Sequence, residues 1–294
     1  MLIERTSSFK GVTTSGRLYL VPTPIGNLGD MSPRAVTTLQ EVDLIAAEDT
    51  RNTAKLLNYF EIKTPQISFH EHNTMERIPL LVDKLLAGQN LAQVSDAGMP
   101  SISDPGQELV KACIEKQIPV VPLPGPNAAL TALIASGITP QPFTFYGFLP
   151  RKNKDLKAEL ATLANERYTL IFYEAPHRLK KTLKALLEAF GGDRQVVLCR
   201  ELTKQYEEFL RGDLQAAYDF SSTEEVRGEF VLIVAGNSTP NQAEQVEQDT
   251  NLSLKAQVEA LVATGLKPNA AIKEVAKRNN LKKQVVYNDY HEID

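Results

Sequence analysis

Short apolar runs alternate with amphipathic helical segments over residues 17–139, and this alternation constrains the fold more than any other feature. The runs are rich in β-branched residues, whereas the segments between them carry apolar residues three and four positions apart. This order is typical of βαβ units, whose parallel strands are covered by helices on both faces. The five predicted strands are Leu18–Val21, Leu44–Ala47, Gln66–Phe69, Leu91–Ser95 and Val120–Pro122. Ser32, followed by Pro33, is the predicted N-cap of the first helix.

The stretch SGITPQPFTFYGFLP interrupts the alternation with prolines and glycines, and it predicts a crossover to a second domain near Pro140. Beyond it, a helix is predicted over residues 177–190. The segment EEFLRGDLQ indicates antiparallel pairing, so the second sheet is predicted to be mixed. The further predicted strands are Thr169–Tyr173, Val196–Arg200 and Phe230–Ala235.

The end of the sequence changes character. GNSTPNQAEQVEQDTN is polar and predicts a linker. Two apolar helical stripes follow, and they predict a small module reminiscent of a helix-turn-helix, although helix pairs are common and say little about nucleic acid by themselves. The predicted fold class is therefore α/β, with a parallel-sheet domain at 17–139, a mixed-sheet domain at 140–238 and a small helical C-terminal module at 250–294.

Charge and cysteine content restrict the classes of function. The net charge of −4 argues against nucleic-acid binding only if charge is spread evenly, and it is not. Nine basic residues stand against four acidic ones between Arg151 and Lys184, which indicates either an RNA-facing strip or solvated helix faces. Cys113 and Cys199 lie in apolar runs without metal-type spacing, which predicts buried free thiols in a reducing compartment. With no run of about 20 apolar residues, a cytoplasmic, soluble protein is expected.

Distinctive loops follow the predicted strands of the first sheet. In order they read PTPIGNLGD, AEDTRNT, FHEHNT, SDAGMPSISDPG and PLPGPNAAL. Ligands of open α/β sheets bind at the carboxyl ends of the strands, so five such loops along one edge predict a ligand site. The first loop lacks both G-x-G-x-x-G and G-x-x-x-x-G-K-[ST], which excludes the usual dinucleotide and P-loop interpretations. Asp96 and Asp104 are candidate hydrogen-bond acceptors in this site.

These loops, together with FYGFLPRK, IFYEAPHRL and GEFVLIVAG, resemble the tetrapyrrole methylase superfamily in the same order. Within it they are most similar to the branch that methylates the ribose 2′-hydroxyl of small-subunit ribosomal RNA. The porphyrin and corrin enzymes typically carry a first loop of the form G-x-G-P-G-D, where this chain has Pro22 and Pro24. That departure favours the RNA branch.

The resemblance implies that S-adenosylmethionine binds in a cleft between the two α/β domains, commonly in a homodimer. It also implies methylation of a cytidine in 16S ribosomal RNA. The cofactor-binding residues carried over by resemblance are Pro24, Ile25, Gly26, Asp96, Ala97, Gly98, Met99, Asn127, Ala128, Tyr173, Glu201, Leu202, Glu229 and Phe230.

Methylation of a hydroxyl needs in-line positioning and removal of one proton. The candidate bases near the cleft are Glu48, Asp49, Glu174, His177 and Glu201. Of the candidate residues, Glu48, Arg51 and Glu174 are predicted as the catalytic ones. Arg51 is a candidate phosphate contact, the alternative being an ion pair with Glu48 or Asp49.

Basic residues at the start of the second-domain helix predict an RNA-facing edge, because free backbone N–H groups and positive side chains both attract phosphate. The predicted RNA-binding residues are Arg151, Lys152, His177, Arg178 and Lys181. Phe145, Tyr146 and Phe148 are candidates for stacking on an extruded base, with a place in the core as the alternative. His70 and His72 share one face of an extended segment, but without a matching carboxylate or cysteine motif no metal site is predicted.

Two other functions remain open at this point. One is methylation of a porphyrin or corrin, which predicts a deep apolar cleft without a basic rim. The other is a ribosome-binding module without catalysis, which would not be stabilised by the methyl donor. The expected partner is small-subunit ribosomal RNA, with no membrane and no DNA.

Overall fold

The computed structural model describes residue 7 and residues 14–238, 253–263, 266–279 and 281–292. The predicted linker GNSTPNQAEQVEQDTN lies, from residue 239 onward, outside the described residues. One compact unit contains both sheets and extends to Gly236, and the C-terminal helices belong to a second unit.

The first sheet has five parallel strands in the order β3-β2-β4-β1-β5, as the alternating pattern predicts. The strands are β1 (Leu18–Leu20), β2 (Leu44–Ala47), β3 (Gln66–Ser68), β4 (Leu91–Val94) and β5 (Val120–Pro122). Three of them end one residue earlier than predicted, because the chain turns into the loops there. Val21 and Phe69 nevertheless still donate to carbonyls of neighbouring strands, Gln93 and Ala47 respectively.

Five helices accompany this sheet. They are α1 (Pro33–Glu41), α2 (Thr50–Tyr59), α3 (Thr74–Leu86), α4 (Gln107–Glu115) and α5 (Ala128–Ser136). The Ser32 side chain accepts a hydrogen bond from Ala35 N at 3.1 Å, which confirms the predicted N-cap. Two buried clusters, one around Leu39 and Ile45 and the other around Leu81 and Leu91, form the core. Helix α5 instead packs against strands of the second sheet.

The second sheet is mixed, as predicted, with the order β6-β7-β10-β8-β9. Its strands are β6 (Phe143–Phe148), β7 (Thr169–Glu174), β8 (Gln195–Arg200), β9 (Glu208–Asp213) and β10 (Phe230–Val234). Strands β6 and β7 are parallel and the other pairs are antiparallel, including the β8–β9 pair expected from EEFLRGDLQ. Strand β6 is absent from the sequence-based prediction, because its neighbouring prolines and Gly147 conceal the strand pattern.

Helices α6 (Asn153–Leu163), α7 (Pro176–Phe190) and α8 (Leu214–Thr223) cover one face of the second sheet. Helix α7 begins one residue before the predicted start, because Pro176 takes the first helical position. We call the first sheet with its loops the first lobe, and the second sheet with α6 to α8 the second lobe.

The C-terminal unit contains helices α9 (Leu254–Ala263), α10 (Pro268–Arg278) and α11 (Lys283–His291). The three helices bury their own apolar cluster, which includes Val258, Ile272 and Val286. Lys255 and Glu292 form an ion pair between the first helix and the end of the last. The predicted helical module is confirmed, and its contact with nucleic acid stays a prediction.

Cys113 and Cys199 are both buried and free, as predicted. Burial raises the pKa of each thiol to about 12, so both are uncharged at neutral pH. Within the described part of the chain, no helix is both long enough and apolar enough to cross a bilayer.

Candidate active site

A cavity of about 350 Å³ lies where loops of the first lobe meet strands of the second. The first lobe contributes the loops that follow β1, β2, β4 and β5, which are carboxyl-end loops of the parallel sheet. The second lobe contributes residues of β6, β7, β8 and β10. The position follows from topology, since the carboxyl ends of parallel strands share one edge.

The structure brings most of the predicted cofactor residues to this cavity. Those that line it are Ile25, Asp96, Ala97, Gly98, Met99, Asn127, Ala128, Tyr173, Leu202, Glu229 and Phe230. Pro24, Gly26 and Glu201 are not among the lining residues. The cavity is also lined by Ile102, Ser103, Lys204 and Val231, which the sequence did not indicate as site residues. Phe148, a candidate from the sequence for base stacking, lines it as well.

Pro24 and Gly26 line a second, smaller cavity of about 180 Å³ in the first lobe. Asp96 belongs to the walls of both cavities. A Cβ atom at Gly26 would lie 2.4 Å from Lys204 Cγ and 3.1 Å from the Leu202 carbonyl oxygen. Glycine therefore permits the first loop to approach the second lobe closely.

The N-terminus of α5 is tied to both lobes. Asn127 caps the helix by accepting a hydrogen bond from Leu130 N at 2.9 Å. Ala129 N donates to the Tyr173 hydroxyl at 3.2 Å, which links the helix to strand β7. Burial raises the pKa of Tyr173, and the nearby Asp104 carboxylate raises it further. Tyr173 is therefore neutral at physiological pH and a fixed part of the cavity wall.

Glu48 is a half-buried carboxylate on the cavity wall. Its Oε2 accepts a hydrogen bond from Asp96 N at 3.2 Å. Burial raises the pKa of Glu48, and the charges of Asp104, Asp96 and Asp49 add to this effect against the opposing hydrogen bond. A carboxylate with a raised pKa is a stronger proton acceptor than an ordinary one, which is the property a general base needs.

Asp104 also lines the cavity, and burial likewise raises its pKa. A hydrogen bond from Ser95 opposes this increase, and the Asp96 carboxylate adds to it. The sequence indicates Asp104 as a candidate hydrogen-bond acceptor, although Asp104 is not one of the predicted cofactor-binding or catalytic residues. The sequence feature that pointed to Asp104 was its position in the loop SDAGMPSISDPG, nine residues after Ser95.

Glu174 lines the cavity, but its side chain is only 1% exposed and both carboxylate oxygens are engaged. Oε1 accepts from Ala175 N at 2.9 Å and lies 3.4 Å from Arg178 Nε, while Oε2 accepts from the Thr182 hydroxyl. This geometry favours a structural role at the start of α7 over the predicted role in proton transfer.

Arg178 differs from its predicted place at the RNA-facing edge. Its side chain is 16% exposed, and its guanidinium donates to the carbonyls of Leu149 and Pro150 at 3.0 and 3.3 Å besides pairing with Glu174. The guanidinium is therefore used inside the second lobe and is not presented to a phosphate. The other predicted RNA-binding residues, Arg151, Lys152, His177 and Lys181, are exposed.

Arg51 lies outside the cavity lining, with an 87% exposed side chain. Its guanidinium binds Asp49 through two hydrogen bonds, of 3.1 and 2.7 Å. This ion pair is the alternative that the sequence left open. The hydrogen bonds from Arg51 hold the pKa of Asp49 at about 2.

Glu201 supports the cavity wall from behind. Its Oε1 accepts from Glu229 N and from Lys204 Nζ, both at 2.9 Å. Lys204 Nζ also lies 2.9 Å from Glu229 Oε2. Burial opposes ionisation of Glu201, but these hydrogen bonds outweigh it and hold its pKa below the ordinary value. Glu201 thus fixes two residues that line the cavity.

The described residues contain no group of three or more histidine, cysteine or acidic side chains placed to hold a metal ion. The rings of His70 and His72 lie 6.0 Å apart, and His70 Nε2 is 3.3 Å from the Asn73 side-chain amide.

The cavity wall carries an excess of negative charge. Besides Glu174, which pairs with Arg178, its acidic residues are Glu48, Asp96, Asp104 and Glu229. The one basic residue among the lining residues is Lys204, which pairs with Glu229. Apolar surface from Ile25, Leu202 and Val231 completes the wall. The arrangement suits a ligand of mixed polarity that carries positive charge.

Comparison with known proteins agrees with this geometry. The family model described as Tetrapyrrole (Corrin/Porphyrin) Methylases matches residues 17–218. A ribosomal RNA small subunit methyltransferase I of Streptococcus pyogenes is 53% identical over 97% of this chain and 98% of its own length. Proteins of the same name from Bacillus subtilis and a Synechocystis species are each 50% identical, over 99% and 92% of this chain.

Solved structures share the fold. Uroporphyrin-III C-methyl transferase from Thermus thermophilus, complexed with S-adenosyl homocysteine, superimposes with a TM-score of 0.55 at 20% identity, covering 75% of this chain and 97% of that one. A cobalt precorrin-4 methyltransferase gives 0.58 at 17% identity, covering 74% and 94%. The family model and the long, closely similar relatives together show that this chain belongs to the tetrapyrrole methylase family and, within it, to the ribosomal RNA small subunit methyltransferase I group.

Proposed function

We propose that this protein uses S-adenosylmethionine to methylate the ribose 2′-hydroxyl of a cytidine in small-subunit ribosomal RNA. The observation that carries the proposal is identity of 50% or more, over nearly the whole chain, to relatives named for methylation of that RNA. The cavity between the lobes supplies a site for the donor.

The residues of the cavity fit the donor. Its volume of about 350 Å³ lies within the range of roughly 300–1,000 Å³ typical of small-molecule sites. Ala97, Gly98 and Ala128 leave room at its wall, and Gly98 has a φ of 81°, which favours glycine. The acidic wall complements the positive charge of a sulfonium. When bound, S-adenosylmethionine supplies an electrophilic methyl group.

Glu48 is the proposed general base. Its carboxylate accepts the proton of the ribose hydroxyl, and its hydrogen bond from Asp96 N holds it in place. A positioned base contributes about 10²- to 10⁴-fold to such a reaction. Much of the remaining acceleration comes from holding the hydroxyl in line with the methyl group.

The exposed basic residues at the edge of the second lobe are proposed to hold the RNA backbone. Arg151, Lys152, His177 and Lys181 are all exposed, and Lys181 Nζ donates to the Arg151 carbonyl oxygen at 3.1 Å, which places α7 beside the loop before α6. Phosphate contacts of this kind position an RNA without reading its sequence. Arg51 lies three residues after Glu48 in the sequence and is exposed despite its ion pair with Asp49, and it is proposed as an additional backbone contact.

Three further features belong to the proposal and rest on the sequence patterns and the family resemblance. They are the division into domains at 17–139, 140–238 and 250–294, a homodimeric state, and a location in the cytoplasm. A homodimer predicts twice the mass of one chain in light scattering.

The direct test supplies the protein with isotopically labelled S-adenosylmethionine and small ribosomal subunits from cells that lack this enzyme. We expect the label in the ribose of one cytidine, located by nuclease digestion and mass spectrometry. Large subunits and a porphyrin precursor serve as competing acceptors. Label in the porphyrin, or none in ribose, would overturn the proposal. An unchanged melting temperature with saturating donor would favour a binding module without catalysis.

A further inference from the structure

A bulge in strand β6 changes which face of the sheet its aromatic residues occupy. Phe145 pairs with Ile171, but Gly147 rather than Tyr146 pairs with Phe172, so one extra residue lies in β6. Gly147 has a φ of 80°, a conformation that favours glycine. Because side chains alternate along a strand, the extra residue moves every later side chain to the other face.

The result of this shift is visible in the ring contacts. Tyr146 packs near Phe172, at 5.7 Å between centroids, on the face covered by α6 to α8. Strict alternation would place Phe148 on that face as well. Instead Phe145 and Phe148 both contact Tyr173, at 5.1 and 5.5 Å, on the face that borders the cavity. Bulges next to functional sites commonly redirect a side chain in this way.

Phe148 has the burial of a binding residue rather than of a core residue. It lines the cavity but is 56% exposed, whereas its contact partner Tyr173 is held by a hydrogen bond from Ala129 N. Exposing a large aromatic side chain gains no packing energy for the folded chain. Ile102, on the loop after β4, is a second exposed apolar residue lining the same cavity, so each lobe contributes one.

We propose that Phe148 is the stacking platform for the nucleobase whose ribose is methylated, and that Ile102 gives that base a second apolar contact. Reaching a ribose hydroxyl inside a cavity requires the nucleotide to leave its stack, and an aromatic face replaces the lost stacking. The inference rests on the proposed function and names the substrate contact of the same site. Stacking is insensitive to base identity, so Phe148 contributes affinity and orientation, not selection of cytosine.

The test compares Phe148→Ala, Phe148→Leu and Phe148→Tyr with the wild-type protein, using unmodified small subunits and labelled S-adenosylmethionine. Loss of one base–aromatic stack lowers kcat/KM by about 10- to 100-fold. We expect that loss in the alanine variant, a partial loss in the leucine variant and near wild-type values in the tyrosine variant. The affinity for S-adenosylhomocysteine, measured by calorimetry, is expected to be the same in all four.

Phe143→Ala is the matched control. Phe143 lies on the same strand, is 37% exposed and is not among the residues lining the cavity, so its removal should leave kcat/KM unchanged. The inference is wrong if Phe148→Ala methylates subunits as well as wild type, or if its main effect is weaker S-adenosylhomocysteine binding, which would place the ring against the donor. Absence of methylation by the wild-type protein would instead refute the proposed function itself.

Discussion

The two lobes place acidic residues in the cavity wall or directly behind it, and these residues are in different states. In the first lobe, Glu48 and Asp104 are half-buried with raised pKa values. In the second lobe, Glu174 is fully engaged by Ala175 N, Thr182 and Arg178, while Glu201 binds Lys204 and Glu229 N and keeps a lowered pKa. The same type of side chain is thus available for proton transfer in one lobe and structural in the other.

The difference follows from what surrounds each carboxylate. Burial raises the pKa of Glu48 and of Asp104, and neighbouring acidic groups add to this effect. Among the residues that the structure describes, neither carboxylate has a basic partner at salt-bridge distance. Glu174 and Glu201 each have a basic partner within four residues along the chain. Activity is therefore expected to depend on the first-lobe carboxylates, and stability on the second-lobe pair. Three changes to these carboxylates test the division, a fourth tests the exposed basic edge of the second lobe, and the largest effect is expected for the first.

Glu48→Gln should lower the rate of methyl transfer by about 10²- to 10⁴-fold, because the amide cannot accept the hydroxyl proton. The fold should tolerate the change. Because the pKa of Glu48 is raised in the folded protein, its contribution to stability is complete below its unfolded pKa and is lost as the pH rises through its folded pKa. The glutamine amide is neutral like the protonated carboxyl group, so the substituted protein does not lose this contribution at neutral pH. Single-turnover assays and thermal unfolding at neutral pH measure both effects.

Glu71→Gln is the control for this change, since Glu71 is exposed in the loop after β3 and does not line the cavity. A Glu48→Gln protein that keeps more than a tenth of wild-type activity would exclude Glu48 as the base.

Glu174→Ala should destabilise the protein by about 3–5 kcal/mol, because it leaves the mostly buried Arg178 guanidinium without its partner. Chemical denaturation measures this loss. In contrast, Glu188→Ala breaks an exposed pair with Lys157 and should cost about 1 kcal/mol or less. Equal effects of the two substitutions would contradict the structural role of Glu174.

Asp104→Asn should move the acid limb of the pH–rate profile to lower pH. Asp104 adds to the burial that raises the pKa of Glu48, so removing its charge lowers that pKa and keeps the base ionised in more acidic solution. The measurement is kcat/KM against pH for both proteins. If the acid limb stays in place or moves to higher pH, the group that titrates in this limb is not Glu48.

Lys152→Ala should give the smallest of these effects, a several-fold weaker binding of small subunits. Loss of one phosphate contact also reduces the slope of log affinity against log salt by about 0.7 to 0.9. Lys111→Ala, on the exposed side of α4, which accompanies the first sheet, is the control. If the salt slope is unchanged in Lys152→Ala, the exposed basic edge is not part of the RNA interface.

Much of the fold could be predicted because each signal was local and periodic. The parallel first sheet follows from apolar runs between helical segments, and Ser32 caps α1 as its position before Pro33 indicates. The cavity residues of the first lobe could be predicted because carboxyl-end loops of parallel strands meet at one edge, which places Asp96 and Asn127 on the same wall.

The remaining features depend on tertiary contacts, which composition and sequence spacing do not reveal. Strand β6 and the orientation of Phe148 depend on one extra residue at the bulge beside Gly147. Arg178 adds to the positive charge of its segment in the sequence, yet it points inward to Glu174 and two carbonyls. The spacing of four residues between Glu174 and Arg178 on either side of a helix start was the available signal for that pair.

The central claim is that the methyl donor binds in the cavity between the lobes. Calorimetric titration of S-adenosylhomocysteine into wild type, Ala128→Phe and Ala135→Phe tests it most directly. Ala128 lines the cavity at the start of α5, whereas Ala135 lies exposed near the end of the same helix. We expect one binding site per chain in wild type and Ala135→Phe, and none in Ala128→Phe. Undiminished binding by Ala128→Phe, or no binding by wild type, would contradict it.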